Sequence, residues 1–260
     1  MKKFLYVHGG PGLNSYPESQ LLKPIFESHN HEIVLWNEPK SFSSKNYYAE
    51  MVDNLKDFIL SQGPNLNIIS HSFGSYLVLD LISKTDLPVN SLCFVSPALD
   101  LEQGDKNILN VGLEILKKTN TELSKQLETK IQLFKKNKTE QNKIDALLLA
   151  FQSGYFSLNF CSEENFKKYF GLLINEHEFR LNDFLKIKPT IAPLKPQKKK
   201  KSIKSIAIFG AQDPIFKYEN EMKVLNKFIE KTNVKIFPNI SHYPHIESQH
   251  DFYYELLAHI

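Results

Sequence analysis

The chain has two cysteines in 260 residues, Cys93 and Cys161. Two are too few for a disulfide framework. Cys93 also sits in an apolar, strand-like run, so both read as free thiols of a reducing compartment. A long hydrophobic run is missing as well. Met1-Lys2-Lys3 opens like a secretory leader, but the apolar stretch behind it is only Phe4-Leu5-Tyr6-Val7. A leader needs about 7–15 apolar residues and a membrane-spanning helix about 18 or more. A cytoplasmic location with no membrane span is expected. Nor is there an excess of one charge: 32 basic residues face 29 acidic ones, a formal charge of +3. That balance leaves no electrostatic footprint for nucleic acid. The densest basic run, Lys198-Lys199-Lys200-Lys201, follows Pro189, Pro193 and Pro196 and reads as a solvated, exposed connector. Metal-ligand spacing is absent too: His29-Asn30-His31 lie in a polar turn with no third ligand near them in sequence.

Short apolar runs are present, and they alternate with longer amphipathic ones. Residues 4–7, 33–36, 66–69, 92–95, 203–209 and 234–237 read as buried strands; residues 18–28, 47–60, 73–83, 219–231 and 252–259 read as helices. Strands without polar alternation, separated by helices, predict a parallel sheet covered on both faces. The alternation lapses between about residues 105 and 184, where helical patterns follow one another at 108–118, 122–136, 141–152 and 163–174. In the last of these, Phe166, Tyr169, Phe170, Leu173 and Ile174 recur at helical spacing behind Ser162, a candidate N-cap, with Glu163 and Glu164 in the first turn. This stretch is expected to form a helical lid inserted between the fourth and fifth strands.

The most informative residues are Ser70-His71-Ser72-Phe73-Gly74, at the passage from the third strand into a helix. A serine flanked two places away by small residues at a strand-to-helix corner is a nucleophile elbow. The sharp turn exposes the hydroxyl, and the following helix points its positive end at the same spot. Gly210-Ala211-Gln212-Asp213-Pro214 follows the fifth strand, and Ser241-His242-Tyr243-Pro244-His245 follows the sixth. In a parallel sheet these three strand ends share one edge, so Ser72, Asp213 and His242 are expected to converge there. A serine hydroxyl needs an imidazole to take its proton, and the imidazole needs a carboxylate to orient it. The fourth part follows the first strand. His8-Gly9-Gly10-Pro11-Gly12 lets backbone approach a ligand closely, and the N–H groups of Gly10 and Phe73 are the expected oxyanion donors.

These residues, in this order, resemble the α/β-hydrolase superfamily over nearly the whole chain. The segment His8-Gly9-Gly10-Pro11-Gly12 is similar to the oxyanion segment of its proline iminopeptidase-like branch. The resemblance implies an α/β fold: a mostly parallel sheet of about six strands with helices on both faces and an inserted helical lid. Residues 1–100 and 197–260 would form the core, and residues 101–196 the lid and connector. Family elbows usually begin with glycine where this chain has Ser70, and the residue before the histidine is usually glycine where this chain has Ser241. The family turn after the second strand is replaced by Trp36-Asn37-Glu38-Pro39-Lys40-Ser41. Relatives that open epoxides or haloalkanes carry aspartate where Ser72 stands.

Each role has rivals nearby. His245 lies three residues past His242, but in the family's similar segments the first histidine acts. Asp100, after the fourth strand, competes with Asp213 and reads better as a helix cap. His71 and His8 read as groups that shape the turn and the loop. In the lid, Glu163, Glu164, Glu176 and Glu178 are candidate binders of a substrate amine, with surface solvation as the competing reading. Phe151, Tyr155, Phe156, Phe160, Phe166 and Phe170 supply core, and some of them are expected to line an apolar pocket over Ser72. The leading reading is a serine hydrolase of a small to medium carboxylic ester, thioester or amide, with a small-molecule or short-peptide substrate and no cofactor. The alternatives are an aminopeptidase of the proline iminopeptidase type and a non-catalytic binding protein of the same fold.

Overall fold

In the computed structural model, which describes residues 1–176 and 180–260, the six short runs are the six strands of one sheet. They are β1 (Lys3–Val7), β2 (Glu32–Trp36), β3 (Leu66–His71), β4 (Val89–Val95), β5 (Lys204–Gly210) and β6 (Asn233–Phe237). The order across the sheet is β2-β1-β3-β4-β5-β6, and every neighbouring pair is parallel. The chain starts at β1, steps one way to β2 and returns past β1 to β3. The order therefore reverses between β1 and β3, and a crevice opens there at the carboxyl ends of the strands. Register brings those ends level: Val7 pairs with Ser70, His71 with Val95, and Gly210 with Phe237.

Helices cover both faces. On one side lie α1 (Tyr16–Leu21), α2 (Lys23–Ser28) and the late helices α11 (Pro244–Glu247) and α12 (Gln249–His259); on the other lie α3 (Tyr47–Ser61), α4 (Phe73–Lys84) and α10 (Tyr218–Leu225). Strand β1 shows how one strand serves both. Leu5 and Val7 join the core with Met51, Leu55 and Leu77, while Phe4 and Tyr6 join the core with Phe26, Phe252 and Leu256. A strand buried on both sides has no polar face, hence its uninterrupted apolar sequence. Helix α4 is buried from Phe73 to Ser83, so it too is apolar nearly all round.

Among the described residues, five α-helices stand between β4 and β5: α5 (Leu101–Thr119), α6 (Thr121–Lys136), α7 (Glu140–Phe151), α8 (Glu163–Glu176) and α9 (Leu181–Ile187). The breaks are chemical. Asp100, Asn120 and Thr139 each accept the N–H of the third residue on, starting α5, α6 and α7. Ser162 does the same for α8, through the N–H of Asn165 at 3.2 Å. The α5–α7 unit has its own core around Leu109, Leu116, Leu127 and Leu147.

Three expectations are corrected. The helix predicted over residues 18–28 is two helices, broken at Leu22. Pro24 is the reason: it has no N–H to donate and favours the first turn of a helix. The helix predicted over residues 219–231 stops at Leu225. Lys201 takes the chain from there, donating its N–H to Phe228 O at 2.7 Å and accepting from Glu230 N at 3.1 Å. Ile174, predicted on the apolar face of α8, is 49 % exposed, whereas Tyr169 and Leu173 are buried. The connector is mostly exposed but anchored, because the Tyr76 hydroxyl donates to Ala192 O at 2.7 Å and accepts from Leu194 N at 3.1 Å.

Candidate active site

Ser72 sits between the last residue of β3 and the first of α4 with φ 50° and ψ −121°. A non-glycine residue held there is strained. Three backbone bonds hold it: Ser72 N–H to Val95 O at 3.0 Å, and Ser75 and Ala98 N–H to Ser72 O at 3.0 and 3.1 Å. Gly74 is small for a visible reason. A Cβ there would run into the backbone carbonyls of Val7 and His8. Ser70, where glycine is commoner, turns its hydroxyl to Cys93 O at 3.3 Å, so the extra atoms are absorbed on the β4 side.

The loop after β1 lies against this corner. A Cβ on Gly9 would stand 3.2 Å from Ser72 Cβ, and Gly10 has φ +136° beside a cis peptide to Pro11. Neither Gly10 N–H nor Phe73 N–H has an acceptor among the described residues. His8 is buried and stacked on Trp36 at 5.4 Å. Burial lowers its pKa to about 4, against the backbone bond to Gly9 that favours the cation, so it is a neutral shaping group.

Asp213 and His242 meet. Asp213 Oδ2 lies 2.5 Å from His242 Nδ1. Its other oxygen accepts the N–H groups of Ile215 at 2.8 Å and Phe216 at 2.9 Å, which locks the carboxylate. Gly210 lets the two loops touch, since a Cβ there would overlap Ser241 O. The loop bearing His242 is also held by the stretch between α7 and α8. His242 N–H donates to Asn159 O at 2.9 Å, and the Ser241 hydroxyl donates to Leu158 O at 2.8 Å. The Glu247 carboxylate accepts from Cys161 N, Ser162 N and Ser241 N. His71 bonds through Nε2 to His242 O at 3.0 Å. Among the described residues, no hydrogen bond joins the Ser72 hydroxyl to His242.

The rivals fall elsewhere. His245 pairs with the Tyr6 hydroxyl at 2.9 Å, and Asp100 caps α5 through Gln103 N–H at 3.0 Å. Ser72, Phe73, Gly10 and His242 open into one cavity of about 130 Å³. Of the six aromatics singled out in the inserted segment, Phe151, Tyr155 and Phe156 line it. Phe160, Phe166 and Phe170 instead pack with Leu13, Tyr243 and Ile246. Glu163 and Glu164 are exposed and away from the cavity. Glu178 lies outside the described residues, as does the side chain of Glu176.

Sequence reading missed Glu38 and Glu221. Glu38 is buried, accepts Gly12 N–H through both oxygens at 3.1 Å, and faces Arg180 Nη2 at 3.5 Å. It thereby ties the glycine loop to Arg180, whose own N–H donates to Gly12 O at 3.0 Å. Glu221 accepts Leu99 N at 2.6 Å and Asp100 N at 3.1 Å. Burial pushes each carboxyl from 4.5 to about 7, against the bonds that favour the anion. A lone glutamate in a polar segment carries no signal of burial; its partners lie far away in sequence.

A pH effect follows. A carboxyl raised in the folded state stabilises fully below its unfolded pKa, and that contribution is lost as pH rises through the folded value. Relative to wild type, Glu38→Gln is expected to gain stability between pH 4.5 and 7, by up to ~3 kcal/mol, and then level off. Urea unfolding of both proteins across that range checks it. Parallel curves would refute it.

No protein-family model and no curated protein matches the chain. Solved structures do. An esterase from Exiguobacterium antarcticum superposes with a TM-score of 0.62 at 13 % identity, covering 99 % of this chain and 91 % of that one. A proline iminopeptidase-related protein from Thermus thermophilus gives 0.69 at 14 %, covering 98 % and 87 %. The epoxide hydrolase of Bacillus megaterium gives 0.63 at 15 %, covering 99 % and 93 %. With its six parallel strands, its helices on both faces and these superpositions along almost its full length, the chain has the α/β-hydrolase fold.

Proposed function

We propose that the protein is a serine hydrolase that cleaves a small carboxylic ester through an acyl-enzyme. The observation that carries this reading is the locked Asp213–His242 pair at the rim of a cavity that also holds the strained Ser72. Asp213 occupies His242 Nδ1, which leaves Nε2 as the basic nitrogen. Ser72 Oγ attacks the carbonyl carbon as His242 Nε2 takes its proton. The oxyanion forms against the unpaired N–H groups of Gly10 and Phe73. Each such donor is worth about 10²–10³ in turnover. The imidazolium returns the proton to the leaving oxygen and the alcohol departs. Water, deprotonated by the same nitrogen, then releases the acid and restores Ser72. The steps use no cofactor.

The inserted helices act as a lid that shields the acyl-enzyme and shapes the acyl pocket. A cavity of about 130 Å³ is comparable to the ~150 Å³ that admits a benzene ring, which fits a short acyl chain. Thioesters and amides can follow the same steps. Aminopeptidase action draws less support, because Glu163 and Glu164 do not reach the cavity.

Reaction with a fluorophosphonate probe tests the reading. Wild type is expected to label stoichiometrically and Ser72→Ala not at all. A folded wild type that does not label would overturn the proposal in favour of a binding protein of this fold.

A further inference from the structure

Besides the groups around Ser72 and His242 and the Asn159 side chain, the apolar lining of the cavity over Ser72 is broken by one ion pair. Lys188 Nζ, at the end of α9, lies 2.7 Å from Asp105 Oδ1 on α5, and both residues line the cavity. Their side chains are 9 % and 10 % exposed. Ile108, Leu147, Phe151 and Phe184 line the same cavity. Burying two ions in such a lining is generally no more stabilising than an apolar pair of the same volume, so stability alone is a weak account of this pair.

Its hydrogen bonding is also lopsided. An ammonium has three donors, and among the described residues Lys188 Nζ has one acceptor, Asp105 Oδ1. The other oxygen of Asp105 faces a second ammonium, Lys143 Nζ, at 3.8 Å, itself bonded to Glu140 at 2.7 Å. Tyr155 lines the same cavity, and its hydroxyl has no acceptor among the described residues. Burial, and then the negative charge of Asp105, hold that hydroxyl protonated and able to donate. Beside the spare donors of Lys188 and Tyr155 at this place stands one acceptor without a hydrogen bond among the described residues, Asp105 Oδ2, which faces Lys143 instead.

We propose that Lys188, steadied by Asp105 and assisted by Tyr155, binds a carboxylate at the far end of the acyl chain, so that the substrate is a monoester of a short dicarboxylic acid. The inference rests on the serine-hydrolase reading for the ester bond; the anion subsite is its own addition. The methylene chain would run along Leu147, Phe151 and Phe184, and Asp105 would keep the cation from pairing with the scissile carbonyl.

The test compares monomethyl esters of succinic, glutaric, adipic and pimelic acids with methyl esters of the monocarboxylic acids of equal chain length, by methanol release. At the best length, wild type is expected to favour the charged ester at least tenfold in kcat/KM, mainly through KM. Lys188→Met should reduce that ratio at least tenfold. Lys188→Arg, which keeps the charge, should retain more of it. Asp105→Asn/Lys188→Met removes both charges together and guards against misfolding from an unpaired carboxylate. A wild type that turns over neutral esters equally well, or a ratio that Lys188→Met leaves unchanged, overturns the subsite while the serine-hydrolase reading stands. Should no ester be cleaved, calorimetric binding of monomethyl glutarate to Ser72→Ala, and its loss in Ser72→Ala/Lys188→Met, reads the subsite without turnover; absence of binding overturns it.

Discussion

Asp213→Asn is expected to lower kcat on a simple ester by about 10⁴-fold, and Ser72→Ala by about 10⁶-fold, with neither change altering the fold. The argument for the first is geometric. Two backbone donors, Ile215 N and Phe216 N, point at one oxygen of Asp213, and His242 Nδ1 faces the other. An asparagine must keep its oxygen on the backbone donors, which turns its NH₂ toward His242. Nδ1 must then accept, so the proton moves to Nε2, and Nε2 can no longer take a proton from Ser72. The side chain stays in place while the imidazole is left in the wrong tautomer. Asp100→Asn, which touches only the cap of α5, is the control and should change kcat by less than about threefold, since asparagine caps as well as aspartate. Steady-state kinetics with matched melting curves would check this. Retention of a tenth of wild-type kcat in Asp213→Asn would remove Asp213 from the proposed triad.

Gly210→Ala is expected to destabilise the fold by at least ~3 kcal/mol, the upper range for overpacking. The Cβ would overlap Ser241 O and stand 2.7 Å from the carbonyl carbon of Ile240. Both are backbone atoms, pinned in turn by Gln212 N–H to Ile240 O at 2.9 Å, so no side chain can give way. The loop carrying His242 must shift away from the end of β5, and what protein remains folded should lose activity with the Asp213–His242 contact. Gly171→Ala offers the contrast. It lies within α8 with nothing within 4 Å of the new Cβ, and should stabilise by up to ~1 kcal/mol through helix propensity. Equal effects from the two changes, by urea denaturation, would contradict the steric account.

Much of the frame was legible in the sequence because parallel strands buried on both faces have to be apolar throughout. All six runs could be found without knowing their partners. The meeting of Asp213 and His242 was legible for a topological reason, since residues that follow parallel strands share an edge. Other features depend on contacts between distant segments. The early end of α10 is decided by Lys201, which pairs with residues around Ile229. The burial of Glu38 is decided by Arg180 and Gly12. Which aromatics of the inserted segment reach the cavity depends on how α5, α7 and α9 pack, and a periodicity cannot say whether Phe151 or Phe170 points toward Ser72. The break at Leu22 was visible in Pro24.

The bonds from Leu158, Asn159, Cys161 and Ser162 to the loop of His242 bear on how such a molecule can be rebuilt. An exchange of the inserted helices for those of another scaffold, cut where β4 ends and β5 begins, would remove the carbonyls that hold the Ser241 hydroxyl and the His242 N–H. The working seam runs inside the insertion. A graft that keeps residues 158–162 as part of the recipient and replaces what lies on either side retains the support of His242, while the walls of the cavity become free to vary.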